Sequence, residues 1–334
     1  MSLYLGTTQI YGIATGDAAI SGDALFLKSF TPVMPDSLQW RSMSYGNGVY
    51  VVLSSNTNLA AYSTDGIRWH STTMPHSADW RSVTYGDGKF VAVSGDSDYA
   101  AYSVDGINWT EYALPSTAAW RSVTYANGKF VAISNNSDAS AYSADGINWN
   151  PSTLPISTYW NYITYGNGKF VVVSNNAKNA AYSTDGITWN ESTLPATKNW
   201  TAVVYGADKF VAVGNGTDGI AYSFDGTTWT SSTSASGRWG SVVYDGNKFV
   251  ALGRTNVYIY SYDGVTWYDS TLPLSERWDA CVYANSKFTA VAYDSDAFIT
   301  STDGTNWIIP ADVTYVVDIN GNDVTEMVKS VLAV

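Results

Sequence analysis

Between residues 120 and 135 the chain reads WRSVTYANGKFVAISN, two runs of alternating polar and apolar positions broken at Ala126-Asn127-Gly128. A period of two in β-branched and aromatic residues predicts strands, and the Asn-Gly pair between them predicts a tight hairpin. Two shorter strands, SAYS and INWN, follow around Asp145-Gly146, and PSTLPISTYW then leads to the next unit. The same succession recurs along the chain. Trp40, Trp80, Trp120, Trp160, Trp200, Trp239 and Trp278 open units spaced 39 or 40 residues apart. Trp69, Trp109, Trp149, Trp189, Trp229, Trp267 and Trp307 each close a stretch containing serine and Asp-Gly, so the two sets use all 14 tryptophans. Seven units of four short strands, with no helical periodicity from 40 to 313, predict an all-β fold. The expected architecture is a seven-bladed β-propeller with one four-stranded antiparallel sheet per blade.

Asp-Gly suits a two-residue turn, where both central residues need positive φ and the Asp side chain can accept neighbouring N–H groups. On that register Thr184 faces Ile187, Ser183 faces Thr188 and Tyr182 faces Trp189, an aromatic cross-strand pair behind the turn. The aspartates Asp65, Asp105, Asp145, Asp185, Asp225, Asp263 and Asp303 are therefore assigned structural roles. The stretches YSVDGINW, YSADGINW and YSTDGITW resemble Asp-box repeats, the Ser-x-Asp-x-Gly-x-x-Trp hairpins of sialidase-like and related β-propellers, with one residue fewer between Asp and Gly. The resemblance covers residues 40 to 313 and implies a propeller. A sialidase activity would further imply an Arg-Ile-Pro motif, an arginine triad and a tyrosine nucleophile paired to a glutamate. No Arg-Ile-Pro occurs, and the first arginine is Arg41, inside a repeat.

The flanks divide the chain into residues 1–39, an attachment or linker segment, the propeller at 40–313, and a C-terminal extension at 314–334. Met34-Pro35 stand as far before Trp40 as Met74-Pro75 before Trp80, which places the end of the first segment on the first blade as an outer strand or linker. The C-terminal extension reads as a hairpin around Asn320-Gly321 and a short amphipathic helix from Thr325. Both ends are expected to latch the ring or dock a partner.

Composition narrows the chemistry. A net charge of -12, with only 17 Lys and Arg, disfavours nucleic acid and anionic membrane surfaces. No apolar run is long enough to span a bilayer, and MSLYLGTTQI lacks the basic start and apolar stretch of a secretory signal. Cys281 is the single cysteine, which excludes an intrachain disulfide. Val83, Val123, Ile163 and Val203 hold its repeat position, so it is read as a small buried apolar residue. His70 and His76 lack metal-ligand spacing, and Asp-Ser-Asp at 96–98 and 294–296 is a weak calcium signal. No metal and no cofactor are expected.

Turns of the YGNGK type and the Asp-Gly turns should share one propeller face and hardly vary between units. Connections such as SGDSDYA, SNNAKNA, HSAD and LSER fall on the other face and vary, which makes that face the expected binding surface. The candidate ring there is Trp40, Trp80, Trp120, Trp160, Trp200, Trp239 and Trp278, with Arg41, Arg81, Arg121 and Asn161 beside it. Exposed indoles would stack on sugars, whereas the alternative makes them packing between blades. A glycosidase needs two carboxyl groups flanking the scissile bond, and only Asp79, Asp279 and Glu276 fall near the expected mouth. Repeated similar sites favour binding over catalysis, so the chain is not expected to be an enzyme. The opening SLYLGTTQI resembles the start of bacteriophage tail proteins. That resemblance implies a receptor-binding protein on the virion, recognising a host cell-surface polysaccharide, with its ends held by other tail proteins; a homo-oligomer is left open. A scaffold propeller docking another protein, or a polysaccharide hydrolase, are the alternatives.

Overall fold

The computed structural model describes residues 3–5, 8–10, 25–216, 219–232, 237–311 and 313–317. They divide into two units, Val33–Ile309 and the flanking segments. The described residues contain strands, turns and bends but no helix.

Within Val33–Ile309 each repeat builds an antiparallel sheet in chain order. In the fourth repeat the strands are Trp160–Gly166, Lys169–Ser174, Ala177–Ser183 and Asn190–Lys198. The second strand is the spine of each sheet: Phe170, Val171, Val172 and Val173 are fully buried, as are Phe130 to Ile133 and Phe210 to Val213. Burial on both faces explains why these strands read as unbroken apolar runs. The first hairpin closes as expected, with Asn167 (φ 45°) and Gly168 (φ 73°) both left-handed, the geometry of a type I′ turn.

The Asp-Gly turns are built differently. Only Gly186 is left-handed (φ 72°), and Tyr182 pairs with Asn190 instead of Trp189. Asp185 Oδ1 accepts the N–H groups of Ile187 and Thr188, both at 2.8 Å, and the Ser183 hydroxyl, while Gly186 N–H donates to Ser183 Oγ. These bonds hold residues 184–189 in a bend, so of INWN and its counterparts only the last residue enters the fourth strand. The fourth strand of the third repeat runs Asn150–Thr158, through the segment read as a connection. Its Pro151 pairs with Ala141 on the outer edge, where a missing N–H is tolerated.

The first strands lie side by side in chain order, and Trp278–Ala284 lies against Leu38–Gly46, which closes the ring. Ser42 Oγ accepts Val83 N–H, Ser82 Oγ accepts Val123 N–H and Ser122 Oγ accepts Ile163 N–H, each joining one repeat to the next. Closure also uses the residues before Trp40. Met34 N–H donates to Asp296 C=O as Leu114 N–H donates to Asp98 C=O within the second repeat, and Gln39 pairs with Tyr293. Met34 is therefore bound to the last repeat, as well as packing in the core shared with Trp40 and Phe298.

In the flanking unit Leu3–Leu5 pairs antiparallel with Thr8–Ile10 and parallel with Leu25–Phe30, which pairs antiparallel with Val313–Val317. Segments from the two ends of the chain thus share one sheet. The hairpin expected at Asn320-Gly321 and the helix expected from Thr325 lie outside the described residues.

Candidate functional site at the channel mouth

Every first strand carries a one-residue irregularity at the same place. Its tryptophan pairs with the second strand, the next residue is skipped, and pairing resumes one residue later, as at Trp120 and Ser122. A bulge leaves its extra residue free of the ladder and turns its side chain away from the regular alternation. The skipped residues are Arg41, Arg81, Arg121, Asn161, Thr201, Gly240 and Asp279, and all of them line one cavity inside the ring of first strands. Ser42, Ser82, Ser122, Tyr162 and Ser241 also line this cavity, whose volume is about 100 Å³.

The tryptophans stand one residue away and do something else. All seven first tryptophans are at most 1% exposed. Trp160 packs among Val131, Ile133 and Leu154 of the preceding repeat and Val172 and Ala181 of its own. The Nε1–H groups of Trp40, Trp80, Trp120, Trp160 and Trp200 donate to the carbonyls of Asp36, His76, Ser116, Ile156 and Ala196, at 3.0–3.2 Å. Trp239 and Trp278 are buried as well, with Nε1 unpartnered among the described residues. The expected indole ring for sugar stacking is therefore corrected to packing between repeats: an indole with no exposed face has nothing to offer a ligand. The aromatic side chain that lines the cavity is Tyr162, 42% exposed into the channel yet crowded enough that burial raises its hydroxyl pKa.

Arg41, Arg81, Arg121 and Asn161, expected beside that ring, are brought together. Arg81 binds Asp79 Oδ2 through Nε at 2.5 Å and also through Nη2. Arg121 Nε donates to Asn161 Oδ1 at 2.7 Å, and Asn161 Nδ2 in turn donates to Trp200 C=O at 2.8 Å. Arg41 donates to Ser55 Oγ and Tyr293 Oη and lies 3.7 Å from Asp279 Oδ2. Asp279 is shared, because Arg254 reaches its Oδ1 at 3.3 Å and Arg277 its Oδ2 at 2.5 Å. The Tyr293 ring contacts two guanidinium groups, 4.5 Å from Arg41 and 3.8 Å from Arg277. Burial, followed by the charges of Arg81 and Arg41, pulls the Arg121 pKa down to about 10; burial and then Arg81 lower that of Arg41.

Arg254, Arg277, Tyr293 and Thr201 were not among the residues expected at the mouth. A signal for some of them lay beside each tryptophan. The position before it holds Asp79, Arg238 and Arg277, and the position after it holds Arg41, Arg81, Arg121 and Asp279, so charges of both signs collect beside these tryptophans. Glu276 does not line the cavity. Cys281 does, half-buried, packed against the core around Trp278 and Phe288 and with its thiol pushed up by burial, as expected of a small apolar residue. Among the described residues no group of three or more His, Cys, Asp or Glu side chains could hold a metal ion, and no helix is long and apolar enough to cross a membrane.

The seven aspartates of the Asp-Gly turns belong to another part of the molecule. Lys129, Lys169, Lys209 and Lys248, each next to a first-hairpin turn, donate to the carbonyls of Asp185, Asp225, Asp263 and Asp303 in the following repeat. The two kinds of turn thus lie on the same face, as expected, and these aspartates act through turn geometry.

No protein-family model matches this sequence, and no curated protein is significantly similar to it. Solved structures are similar in fold. Virginiamycin B lyase from Staphylococcus aureus superposes with a TM-score of 0.71 at 14% identity, covering 83% of this chain and 98% of that one. YCF48 bound to D1 peptide gives a TM-score of 0.64 at 17% identity over 84% and 97% of the two chains. The extracellular domain of BT4673 from B. thetaiotaomicron gives 0.64 at 14% identity, covering 85% of this chain and 44% of that one. At such identities the likeness establishes architecture alone, and the chain is accordingly an all-β protein of repeated four-stranded antiparallel blades with the fold of a β-propeller.

Proposed function

We propose that the seven repeats form a seven-bladed propeller that binds a glycan at the mouth of its channel. In this reading it is a receptor-binding protein of a phage tail, facing a host surface polysaccharide. The observation that carries the glycan reading is the bulge ring, which delivers Arg41, Arg81, Arg121, Asn161 and Thr201 to an open polar cavity beside the exposed ring of Tyr162. A sugar needs directional polar groups and one aromatic face, and these residues supply both. Ser42, Ser82 and Ser122 accept backbone N–H groups with their oxygens, which leaves their O–H hydrogens available as donors. Binding without cleavage is favoured because both mouth carboxylates are held by arginines, Asp79 by Arg81 and Asp279 by Arg41, Arg254 and Arg277. The virion placement rests on the likeness of SLYLGTTQI to tail proteins, and the recurring Ser-x-Asp-Gly stretch is read as a shortened Asp box.

A second reading has one observation in its favour: the structurally similar YCF48 was solved bound to a peptide, so a peptide at this mouth is the competing ligand. The test is binding of the purified full chain to a panel of bacterial surface polysaccharides, with the products checked for cleavage. Saturable binding with intact polymer is expected, weakened about tenfold by Tyr162→Ala. Released oligosaccharides would make the protein a hydrolase, and no binding to any glycan would transfer the site to peptides.

A further inference from the structure

We propose that the ligand of this mouth is an acidic polysaccharide whose carboxylate binds at Arg121, with Arg81 and Arg41 beside it. The proposal rests on the glycan reading above and specifies its chemistry. In a chain of net charge -12, five of the seven arginines gather at this one place: Arg41, Arg81, Arg121, Arg254 and Arg277. Two carboxylates face them. Asp79 is held by Arg81, and Asp279 is divided among Arg41, Arg254 and Arg277. Five guanidinium groups outnumber the two carboxylates that pair with them, and the Asp96 carboxylate, which accepts Asp79 N–H at 3.4 Å, still leaves positive charge in excess. Arg121 is the least compensated, since its described side-chain partner is the neutral Asn161 amide.

A partly buried charge without an opposite charge is costly, and the cost falls when an anion arrives. The lowered pKa values of Arg121 and Arg41 report the same strain from burial and mutual repulsion. A guanidinium offers a planar fork of donors matched to a planar oxoacid group, which suits a carboxylate. The rest of the wall argues for a sugar as its carrier. Peptides anchor through apolar side chains in desolvated pockets, whereas the exposed wall of this cavity is mainly polar, with the Tyr162 ring as its aromatic face.

The experiment measures binding of the full chain to alginate, polygalacturonate and hyaluronate, to the carboxyl-reduced form of each, to neutral dextran and to polyglutamate. At least one uronate polymer is expected to bind saturably, and at least tenfold more tightly than its carboxyl-reduced form. Arg121→Gln should weaken that binding at least tenfold, and Arg121→Lys, which keeps the charge but not the fork, should lose less. Lys178→Gln removes one exposed positive charge outside the cavity and should change nothing. Melting midpoints verify that the variants fold, and the comparison of native with reduced polymer decides the matter in the unaltered protein if they do not. Equal affinity for native and reduced polymers, or binding to dextran alone, would overturn the acidic ligand while leaving the glycan reading intact. Polyglutamate binding as tightly at the same site would overturn the sugar, and no binding to any glycan would overturn both readings.

Discussion

The Asp185 carboxylate organises a turn that local propensity alone describes wrongly. Asp-Gly favours a two-residue hairpin, but the carboxylate captures the Ile187 and Thr188 N–H groups before they can enter a ladder. The role of the aspartate was therefore legible, while its register was not, because the competing side-chain bonds form only once the backbone has bent. The same bonds set its titration. Partial burial works to raise the Asp185 pKa, but the Thr188 and Ile187 N–H groups and the Ser183 hydroxyl outweigh it and hold the value down at about 2. Asp65, Asp105, Asp145, Asp225, Asp263 and Asp303 are lowered too. A folded-state pKa below the unfolded value, about 3.9, gives stability that is fully present above it and lost as pH falls through the folded value. The melting midpoint at constant ionic strength is therefore expected to fall between about pH 4 and pH 2. Asp185→Asn should cost about 1 kcal/mol at neutral pH and make that acid-side fall shallower. Parallel curves for the two proteins would show that the turn aspartates are not its source.

Each first strand combines a buried tryptophan with a bulged neighbour, and the two residues carry separable functions. Trp120 is 1% exposed in a core with Val91, Val93 and Leu114 of the preceding repeat, while Arg121 faces the cavity. Trp120→Ala is expected to destabilise the fold by about 3–5 kcal/mol, by lost burial and an unfilled cavity, as read by denaturant unfolding. Ligand affinity of the fraction that remains folded should change little, whereas Arg121→Gln should do the reverse. If Trp120→Ala left stability intact and abolished binding, the indole would be a ligand contact after all. The strands themselves were legible, because the second strand is apolar without interruption and the turn residues at Asn167-Gly168 have one favoured geometry. The bulge was not, since skipping one residue leaves no mark in an alternating pattern. It is also what converts Arg41, Arg81 and Arg121 from neighbours of a tryptophan into a shared site.

At the scale of the whole ring, stability depends on how each repeat is fastened to the next. Lys129, Lys169, Lys209, Lys248 and Lys287 each cross to the following Asp-Gly turn, the last by donating to Asp65 C=O at 2.6 Å from the end of the ring back to its beginning. Two consecutive junctions lack this bond. Val49 stands where the first repeat would carry its lysine, and Lys89 is bound instead to the carbonyl and carboxylate of Asp87 in its own turn. Asp87 is left-handed (φ 46°), a conformation that Asn47, Asn127 and Asn167 adopt at the same place in their repeats. Asp87→Asn therefore fits the turn, removes the competing charge and frees Lys89 for the Asp145 carbonyl. Val49→Lys would supply the missing partner for that of Asp105. Each bond is worth about 0.5–1.5 kcal/mol net, so the double variant is expected to gain about 1–3 kcal/mol in denaturant unfolding. Amide exchange should slow most in the first three repeats, where the unaltered ring is least fastened. An unchanged midpoint, with both lysines engaged as intended, would mean that solvation of the lysine in the open state matches the bond, and that the tryptophan and serine contacts carry the ring unaided.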